Sequence, residues 1–228
     1  MSDPLDDLGL LLQPAPKSVR SLYDRVAPRY DDFRALWIRL AGRGAEQAML
    51  DDLAATLQPG QRVLDAGCGT GAISRQLQAL QPEAHITMLD LSTSMLDHAV
   101  DVPGDRMIGD VLSLPFIDGC FDVVVSAWVI ETVPDPMRAL SEYLRVLSPT
   151  GHVFYTFCSL PDGWLSRAGS AFLRTVVRTR FAGDFIPAER TPWHDCQRSH
   201  RVRFQGGLTT EIALMKCCTV GPDVAPGN

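Results

Sequence analysis

The sequence lacks any apolar run that approaches the length of a membrane-spanning helix, and it has no excess of basic charge. Its 228 residues carry 27 acidic and 21 basic side chains, a formal net charge of -6. We therefore predict no transmembrane segment and no nucleic-acid partner, because a bilayer crossing needs about 20 apolar residues and nucleic acids attract basic surfaces. A hydrophobic content of 46% is sufficient for a single core.

Paired cysteines are also missing. The six cysteines are Cys68, Cys120, Cys158, Cys196, Cys217 and Cys218. They lack the spacing of disulfide frameworks, which favours a reducing cytoplasm as the location. His194, Cys196 and His200 have no second ligand pair nearby, so we expect loop residues and no metal site. Residues 1–17 have no basic leader or cleavage site and predict a flexible tail rather than a secretory signal.

The segment from Val63 to Gly71, VLDAGCGTG, is the most informative part of the chain. Its apolar start ends a predicted strand, and its three alternating glycines allow a sharp turn against a ligand before a helix over 72–80. The glycine spacing also fits the dinucleotide fingerprint, so glycines alone do not identify the cofactor. Asp65 favours a cationic group such as a sulfonium over a pyrophosphate, which points to S-adenosylmethionine.

Three further strands are predicted, at 85–90, 106–111 and 121–129. The first ends at Asp90, which can accept hydrogen bonds from both ribose hydroxyls, and Ser92 then caps a helix. The second ends at Asp110, which could accept a hydrogen bond from the adenine amino group. The third is apolar throughout, as expected of a parallel sheet covered by helices on both faces.

These motifs together resemble the class I S-adenosylmethionine-dependent methyltransferases, in particular the ubiquinone and menaquinone biosynthesis branch. The resemblance covers roughly residues 60 to 158. It rests on VLDAGCGTG, Asp90, and the segments Gly109-Asp110-Val111, Leu114-Pro115-Phe116, Phe121-Asp122-Val123-Val124 and Leu144 to Gly151.

The resemblance implies an α/β fold: a Rossmann-like, doubly wound, mostly parallel seven-stranded sheet with an antiparallel edge strand and helices on both faces. We expect the edge strand in the second half of 208–216 and a loop at 181–200. One methyltransferase domain is predicted over 18–218, with a helical cap at 18–59, a cofactor-binding core at 60–158 and a variable substrate-side segment at 159–206. A second flexible tail is predicted at 219–228.

Residue pattern and resemblance together predict a set of cofactor-binding residues. They are Tyr30, Asp65, Gly67, Cys68, Gly69, Gly71, Asp90, Leu91, Met95, Asp110, Val111 and Ser126. Tyr30 belongs to the segment Tyr23 to Asp31, which either closes over the cofactor or is an ordinary amphipathic helix on the sheet edge. If the acceptor must lose a proton, the catalytic candidates are Glu131, His194 and Tyr30.

Two departures from the family concern the acceptor side. Relatives commonly have a histidine after the fourth strand, where this chain has Glu131 and Thr132. Relatives also carry a lysine-proline-glycine-glycine turn, where this chain has Ser148-Pro149-Thr150-Gly151, so Thr150 would have to accept a tight turn. The identity of the acceptor is therefore open, and quinone-like or lipid-like molecules are suggested by analogy alone.

The segment 164–178 predicts a basic amphipathic helix. Its apolar arc is Trp164, Leu165, Ala168, Phe172, Leu173 and Val176, and a second arc carries Arg167, Arg174 and Arg178. The helix either covers an apolar pocket or packs on the domain with a solvated arginine face. The arginines would suit an anionic substrate or peripheral contact with membrane headgroups.

Three functions fit this sequence. The first is a methyltransferase that acts on a small-molecule acceptor, and the second is a noncatalytic S-adenosylmethionine-binding sensor or scaffold. The third, a dinucleotide-dependent oxidoreductase, is disfavoured by Asp65 and by the lack of a nicotinamide-side motif. The methyltransferase is the interpretation that the motifs favour.

Overall fold

A computed structural model of the protein describes residues 18–161, 164–180, 183–193 and 198–216. The predicted tails lie outside these residues, as do His194, Cys196, Cys217 and Cys218. The described part contains a seven-stranded sheet in the order β3-β2-β1-β4-β5-β7-β6. Its strands are β1 (Arg62–Ala66), β2 (His85–Asp90), β3 (Asp105–Ile108), β4 (Phe121–Ala127), β5 (Leu147–Cys158), β6 (Arg198–Phe204) and β7 (Thr209–Met215).

Eight α-helices accompany these strands in the described ranges. They are α1 (Val19–Val26), α2 (Tyr30–Trp37), α3 (Arg43–Thr56), α4 (Ala72–Leu80), α5 (Thr93–Asp97), α6 (Pro136–Val146), α7 (Trp164–Gly169) and α8 (Ala171–Arg180). A π-helical turn, Ile38–Gly42, joins α2 to α3. None of these helices combines the length and apolar character that a bilayer crossing requires.

Alternation along the central strands divides the core into two layers. Val63 and Val123 pack with Met49 and Leu53 of α3 and with Ile73 and Leu77 of α4. Their neighbours Leu64 and Val124 face the other way and pack with Leu140 and Tyr143 of α6. Successive side chains of a strand point to opposite faces, so a central strand that is apolar throughout needs helices on both sides.

The predicted Rossmann-like sheet is confirmed, with one change in its outer part. β7 is antiparallel to β5 as expected, but it lies one position inside the edge because β6 pairs along its other side. The expected loop at 181–200 is wrong in its last three residues, since β6 begins at Arg198. β6 alternates charged and apolar residues only from Arg201 to Phe204, a pattern that a solvated edge strand tolerates.

The segment 164–178 differs from the single amphipathic helix that was predicted. The chain forms two helices with a break at Ser170, so the phase of the apolar arc is not continuous. Trp164 and Phe172 are 76% and 77% exposed, whereas Val177, which was not assigned to the arc, is buried. The arc therefore does not form one packed stripe.

Thr150 does not have the positive φ that would favour a glycine at this position. It lies within β5. Among the described non-glycine residues, only Trp128 and Gln205 have a positive φ. The irregularity is taken up by a shift in the pairing of β4 with β5 between Phe121 and Val123, so this departure from the family needs no strained backbone at Thr150.

Candidate active site

A cavity of about 580 Å³ opens at the carboxyl ends of β1, β2 and β4. This is where an open α/β sheet reverses its strand order and where such folds bind ligands. We call it the glycine-loop cavity; it is lined by Val19, Tyr23, Tyr30, Gly67, Gly69, Asp90, Leu91, Gly109, Asp110, Val111, Ala127, Trp128, Val129, Thr132 and Val133.

The glycine loop forms the floor of this cavity. Gly67 has φ +78° and donates its N–H to the carbonyl of Leu89 at 2.7 Å. A Cβ at Gly67 would come within 2.4 Å of the Val129 side chain. Gly67 is therefore required both by its left-handed backbone and by the lack of space beside β4.

Asp90 is held at the end of β2 by two backbone donors. Gly69 N–H donates to its Oδ2 at 2.8 Å, and Ser92 N–H donates to its Oδ1 at 2.8 Å. Burial raises the pKa of Asp90, while these donors oppose that rise. Each oxygen of a carboxylate can accept a second hydrogen bond, so Asp90 can still receive donors from a ligand.

Asp110, just after β3, also lines the cavity. Its Oδ1 accepts the N–H of Leu112 at 2.9 Å, which closes a turn. The residue is exposed, and the neighbouring Val111 is buried. The pair thus presents a solvated carboxylate and an apolar wall, as a purine ring would require.

Helices α1 and α2 cover the cavity. Thr70 Oγ1 donates to Asp31 at 2.6 Å, and Ser92 Oγ donates to Asp24 at 2.5 Å. The rings of Tyr23 and Tyr30 meet edge to face, and a Cβ on Gly69 would lie 3.6 Å from Tyr30 Cε1. Both tyrosines therefore belong to the cavity lining, with Tyr30 beside the glycine loop; that they close over the cofactor stays a prediction.

A second, smaller cavity of about 380 Å³ shares part of this wall. We call it the aromatic cavity; its lining is Tyr23, Tyr30, Arg34, Trp37, Trp128, Glu131, Thr132, Cys158 and Val177. Four of these residues, Tyr23, Tyr30, Trp128 and Thr132, also line the glycine-loop cavity. Two ligands bound in the two cavities would therefore be neighbours.

Glu131 is the acidic residue in the lining of the aromatic cavity. It belongs to a 3-10 turn, Ile130–Thr132, and is 7% exposed. Its Oε1 accepts the Cys158 N–H at 3.2 Å, and its Oε2 has no hydrogen-bond partner. Burial raises the pKa of Glu131 to about 7. A buried carboxyl with one unpaired oxygen can accept a hydrogen bond or a proton from a ligand.

Trp128 was missed as a site residue by the sequence analysis. It follows β4 with φ +62°, an unusual conformation for a bulky side chain, and its Nε1 donates to Glu46 at 3.0 Å. Arg34 donates to the same carboxylate oxygen at 2.6 Å. Trp37 packs edge to face on Trp128 with ring centroids 5.6 Å apart. Strained residues that the surroundings hold in place are frequent at functional sites.

Seven of the twelve predicted cofactor-binding residues line the glycine-loop cavity. They are Tyr30, Gly67, Gly69, Asp90, Leu91, Asp110 and Val111. Two of the three catalytic candidates, Tyr30 and Glu131, line the aromatic cavity. The third, His194, lies outside the described residues.

The other five cofactor candidates lie behind the cavity wall. Asp65 shares the strand face of Val63 and accepts a hydrogen bond from Ser74 of α4 at 2.6 Å; burial raises its pKa to about 6. Ser126 donates to the carbonyl of Ala66. Gly71 precedes α4 with φ +82°, Cys68 is buried in the loop, and Met95 is buried beneath α1. These residues shape the wall instead of lining it.

Comparisons with known proteins agree with this geometry. A methyltransferase domain family matches residues 64–155. A ubiquinone/menaquinone biosynthesis C-methyltransferase from Ruegeria sp. is 33% identical over 179 residues, which cover 73% of this chain and 71% of the relative. A malonyl-(acyl-carrier protein) O-methyltransferase from Dechloromonas aromatica is 39% identical over 139 residues, 61% of this chain and 50% of the relative.

Solved structures share the fold at low sequence identity. Phosphoethanolamine N-methyltransferase 2 from Haemonchus contortus, in complex with S-adenosyl-L-methionine, has a TM-score of 0.69 at 19% identity and covers 89% of this chain and 60% of its own. A methyltransferase from Thermotoga maritima has a TM-score of 0.63 at 19% identity, covering 87% and 100%. On fold, family match and sequence identity together, the chain belongs to the class I S-adenosylmethionine-dependent methyltransferases and is related to their ubiquinone/menaquinone biosynthesis branch.

Proposed function

We propose that the glycine-loop cavity binds S-adenosylmethionine and that the aromatic cavity binds a small, planar methyl acceptor. The observation that carries this proposal is the wall that the two cavities share, because methyl transfer requires the acceptor atom beside the methyl group. When bound, S-adenosylmethionine supplies an electrophilic methyl group on a sulfonium.

The residues of the glycine-loop cavity fit the parts of this cofactor. Gly67 and Gly69 line the cavity without side chains and so leave room for the methionine portion. The Asp90 oxygens, each with one backbone donor, have capacity for the ribose hydroxyls. Asp110 and Val111 would hold the adenine amino group and ring.

The aromatic cavity favours a flat acceptor. Tyr30, Trp37 and Trp128 supply ring faces and edges, and the Arg34–Glu46 pair holds Trp128 from behind. Aromatic side chains bury large areas and stack on flat rings. We infer a hydroxylated, quinone-like ring with a lipid-like tail as the acceptor class.

Glu131 would serve as proton acceptor. Its unpaired Oε2 belongs to a residue of the cavity lining, and its raised pKa of about 7 places its titration near neutral pH. A base of this kind removes the proton of an acceptor hydroxyl and so increases the nucleophilicity of the ring. Glu131 occupies the turn where relatives commonly have a histidine.

A binding and transfer experiment tests this function. Purified protein is titrated calorimetrically with S-adenosylmethionine and, separately, with NAD. It is then incubated with methyl-labelled S-adenosylmethionine and either a short-tailed 1,4-naphthoquinol or the malonyl thioester of N-acetylcysteamine. We expect binding of S-adenosylmethionine but not of NAD, and label transfer to the naphthoquinol in preference to the thioester.

The two acceptors represent the chemistries named by the relatives. Transfer to the thioester alone would contradict the planar acceptor while leaving the cofactor assignment intact. Binding of NAD in place of S-adenosylmethionine would return the oxidoreductase alternative. Tight binding of S-adenosylmethionine without transfer to either acceptor would contradict this acceptor class and favour the noncatalytic sensor.

We also propose that α7 and α8 touch an anionic membrane surface when a lipid-like acceptor is collected. Trp164 and Phe172 are exposed, Arg167 is exposed near them in sequence, and Val177 of α8 lines the aromatic cavity. Exposed aromatic and basic side chains on a helical surface suit a lipid interface.

Vesicle sedimentation measures this contact. We expect the protein to sediment with phosphatidylglycerol vesicles and to bind neutral phosphatidylcholine vesicles less. Replacing Trp164 and Phe172 with serine should reduce sedimentation several-fold, since both side chains lose apolar contact with the acyl boundary. Ile117→Ser, at a residue 80% exposed outside α7 and α8, is the matched control. If the Trp164 and Phe172 serine variant sedimented as much as Ile117→Ser, α7 and α8 would not be the membrane contact.

A further inference from the structure

A cluster of three potential metal ligands lies on the β6–β7 side of the sheet, where α3 packs on β6 and β7. Asp52 comes from α3, His200 from β6 and Glu211 from β7. His200 pairs with Ala213, and Glu211 pairs with Val202, so His200 and Glu211 are diagonal neighbours on one face of the β6–β7 ladder. None of the three residues lines either of the two cavities described above.

Their ligand atoms converge closely. His200 Nε2 lies 2.8 Å from Asp52 Oδ2 and 3.3 Å from Glu211 Oε2. One ligand atom from each of the three lies within 4.8 Å of the others. Ligand atoms about 2.1 Å from one zinc ion are separated by roughly 3 to 3.5 Å, so small side-chain adjustments would allow all three to coordinate one ion.

The carboxylates at this point lack other partners. Glu211 is fully buried, and neither of its oxygens has a hydrogen-bond partner; Asp52 Oδ2 has none either. The imidazole nitrogen is near both acids without making a well-oriented hydrogen bond to them. Two carboxylates this close, one without access to water, oppose each other unless a cation or proton lies between them.

We propose that Asp52, His200 and Glu211 form a structural site for a divalent cation of the zinc type. One imidazole nitrogen and two carboxylate oxygens suit a borderline cation, whereas Mg²⁺ and Ca²⁺ prefer oxygen ligands alone. His200 is half exposed, which gives the ion a path from solvent and leaves room for water as a fourth ligand. The ion would tie α3 to β6 and β7.

This cross-link would hold the helix that also supports the aromatic cavity. The helix that carries Asp52 also carries Glu46, which holds Arg34 and Trp128 of the aromatic cavity. A metal at Asp52 would fix the far end of the same helix on the sheet. The ion should therefore stabilise the helical cap and the edge of the sheet without taking part in methyl transfer.

The test uses the full-length protein dialysed against EDTA and then against metal-free buffer. ZnCl2 is titrated by calorimetry at pH 7.5, with MgCl2 as the comparison, and thermal unfolding is followed with and without one equivalent of Zn²⁺. We expect one tight Zn²⁺ equivalent, an upward shift of the midpoint of unfolding and no response to Mg²⁺. Binding to the native state alone produces such a shift.

Variants locate the bound ion. His200→Asn and Glu211→Gln should each lose the tight equivalent and the shift, while Asp51→Asn, at the exposed neighbour of Asp52 on the same helix, should retain both. S-adenosylmethionine binding should be unchanged in His200→Asn, which separates a lost metal from a lost fold. Zn²⁺ binding that persists in His200→Asn and Glu211→Gln, or its absence from the wild type, would overturn the proposal.

Discussion

Replacing Asp90 with alanine is expected to weaken S-adenosylmethionine binding about 100-fold, since two hydrogen bonds to a charged carboxylate are worth about 3 kcal/mol together. The change would remove the acceptors for the ribose hydroxyls. It would also leave the N–H groups of Gly69 and Ser92 without their partner. Calorimetric titration of the wild type and the variant with S-adenosylmethionine measures the ratio of dissociation constants.

Two further variants make this result specific. Asp90→Asn keeps one carbonyl oxygen for the backbone donors and should lose less affinity than the alanine variant. Asp97→Ala removes an exposed carboxylate from the neighbouring helix α5 and should bind like the wild type. Wild-type affinity in Asp90→Ala, with an unchanged circular dichroism spectrum, would mean that the ribose is held by other groups.

The central part of the fold was predictable because its signals are local. β2 and α4 have the bounds that the sequence predicts, His85–Asp90 and Ala72–Leu80. An apolar strand, a glycine turn and an amphipathic helix each leave a pattern within about ten residues. The order of strands then follows from the restricted connections of a doubly wound sheet.

β6 was not predicted, because its pattern is that of a solvated edge. Its residues Arg198, His200, Arg201 and Arg203 give it no apolar run. The strand exists because β7 offers a full row of backbone partners along its outer side. Pairing of this kind depends on the neighbouring strand and not on the segment's own composition.

The direction of the Asp65 side chain could have been predicted from strand alternation. Val63 and Asp65 share one face of β1, and that face packs on α3 and α4. The carboxylate therefore points to Ser74, away from the cavity at the end of the strand. The motif position correctly indicated the family, and the period of two places the Asp65 side chain on the face of α3 and α4 instead of in the cavity lining. Its contact with the cofactor stays a prediction.

Apart from the candidates Tyr30 and Glu131, the aromatic cavity had no signal in the sequence. Trp128 meets Glu46 across 82 residues of sequence, and Arg34 reaches the same carboxylate from α2. Such a network is recognisable only when the helical cap and the sheet are brought together. The unusual φ of Trp128 likewise left no signal in the sequence.

Glu131→Gln is expected to lower kcat for methyl transfer to the naphthoquinol by roughly 10²- to 10⁴-fold, as for loss of a general base. The cofactor dissociation constant should change little, because Glu131 lines the aromatic cavity and not the glycine-loop cavity. A base acts in its deprotonated form, so wild-type activity should rise with pH through about 7, the pKa of Glu131. The variant should lack this rising limb, whereas Glu83→Gln, at an exposed position, should keep it.

Stability measured over the same pH range separates a catalytic role from a structural one. Glu131 binds its proton more tightly in the folded protein than in the unfolded chain, since burial raises its pKa from 4.5 to about 7. The folded state therefore holds more protons between these values, and stability falls as pH rises through this window. Between pH 5 and pH 8 the loss from this one group amounts to about 2 to 3 kcal/mol in the wild type and should vanish in Glu131→Gln. Urea unfolding at both pH values measures it. If Glu131→Gln loses this pH-dependent change in stability but keeps the wild-type kcat and its rise with pH, Glu131 is a buried acid that shapes the aromatic cavity. The proton then leaves the acceptor by another path.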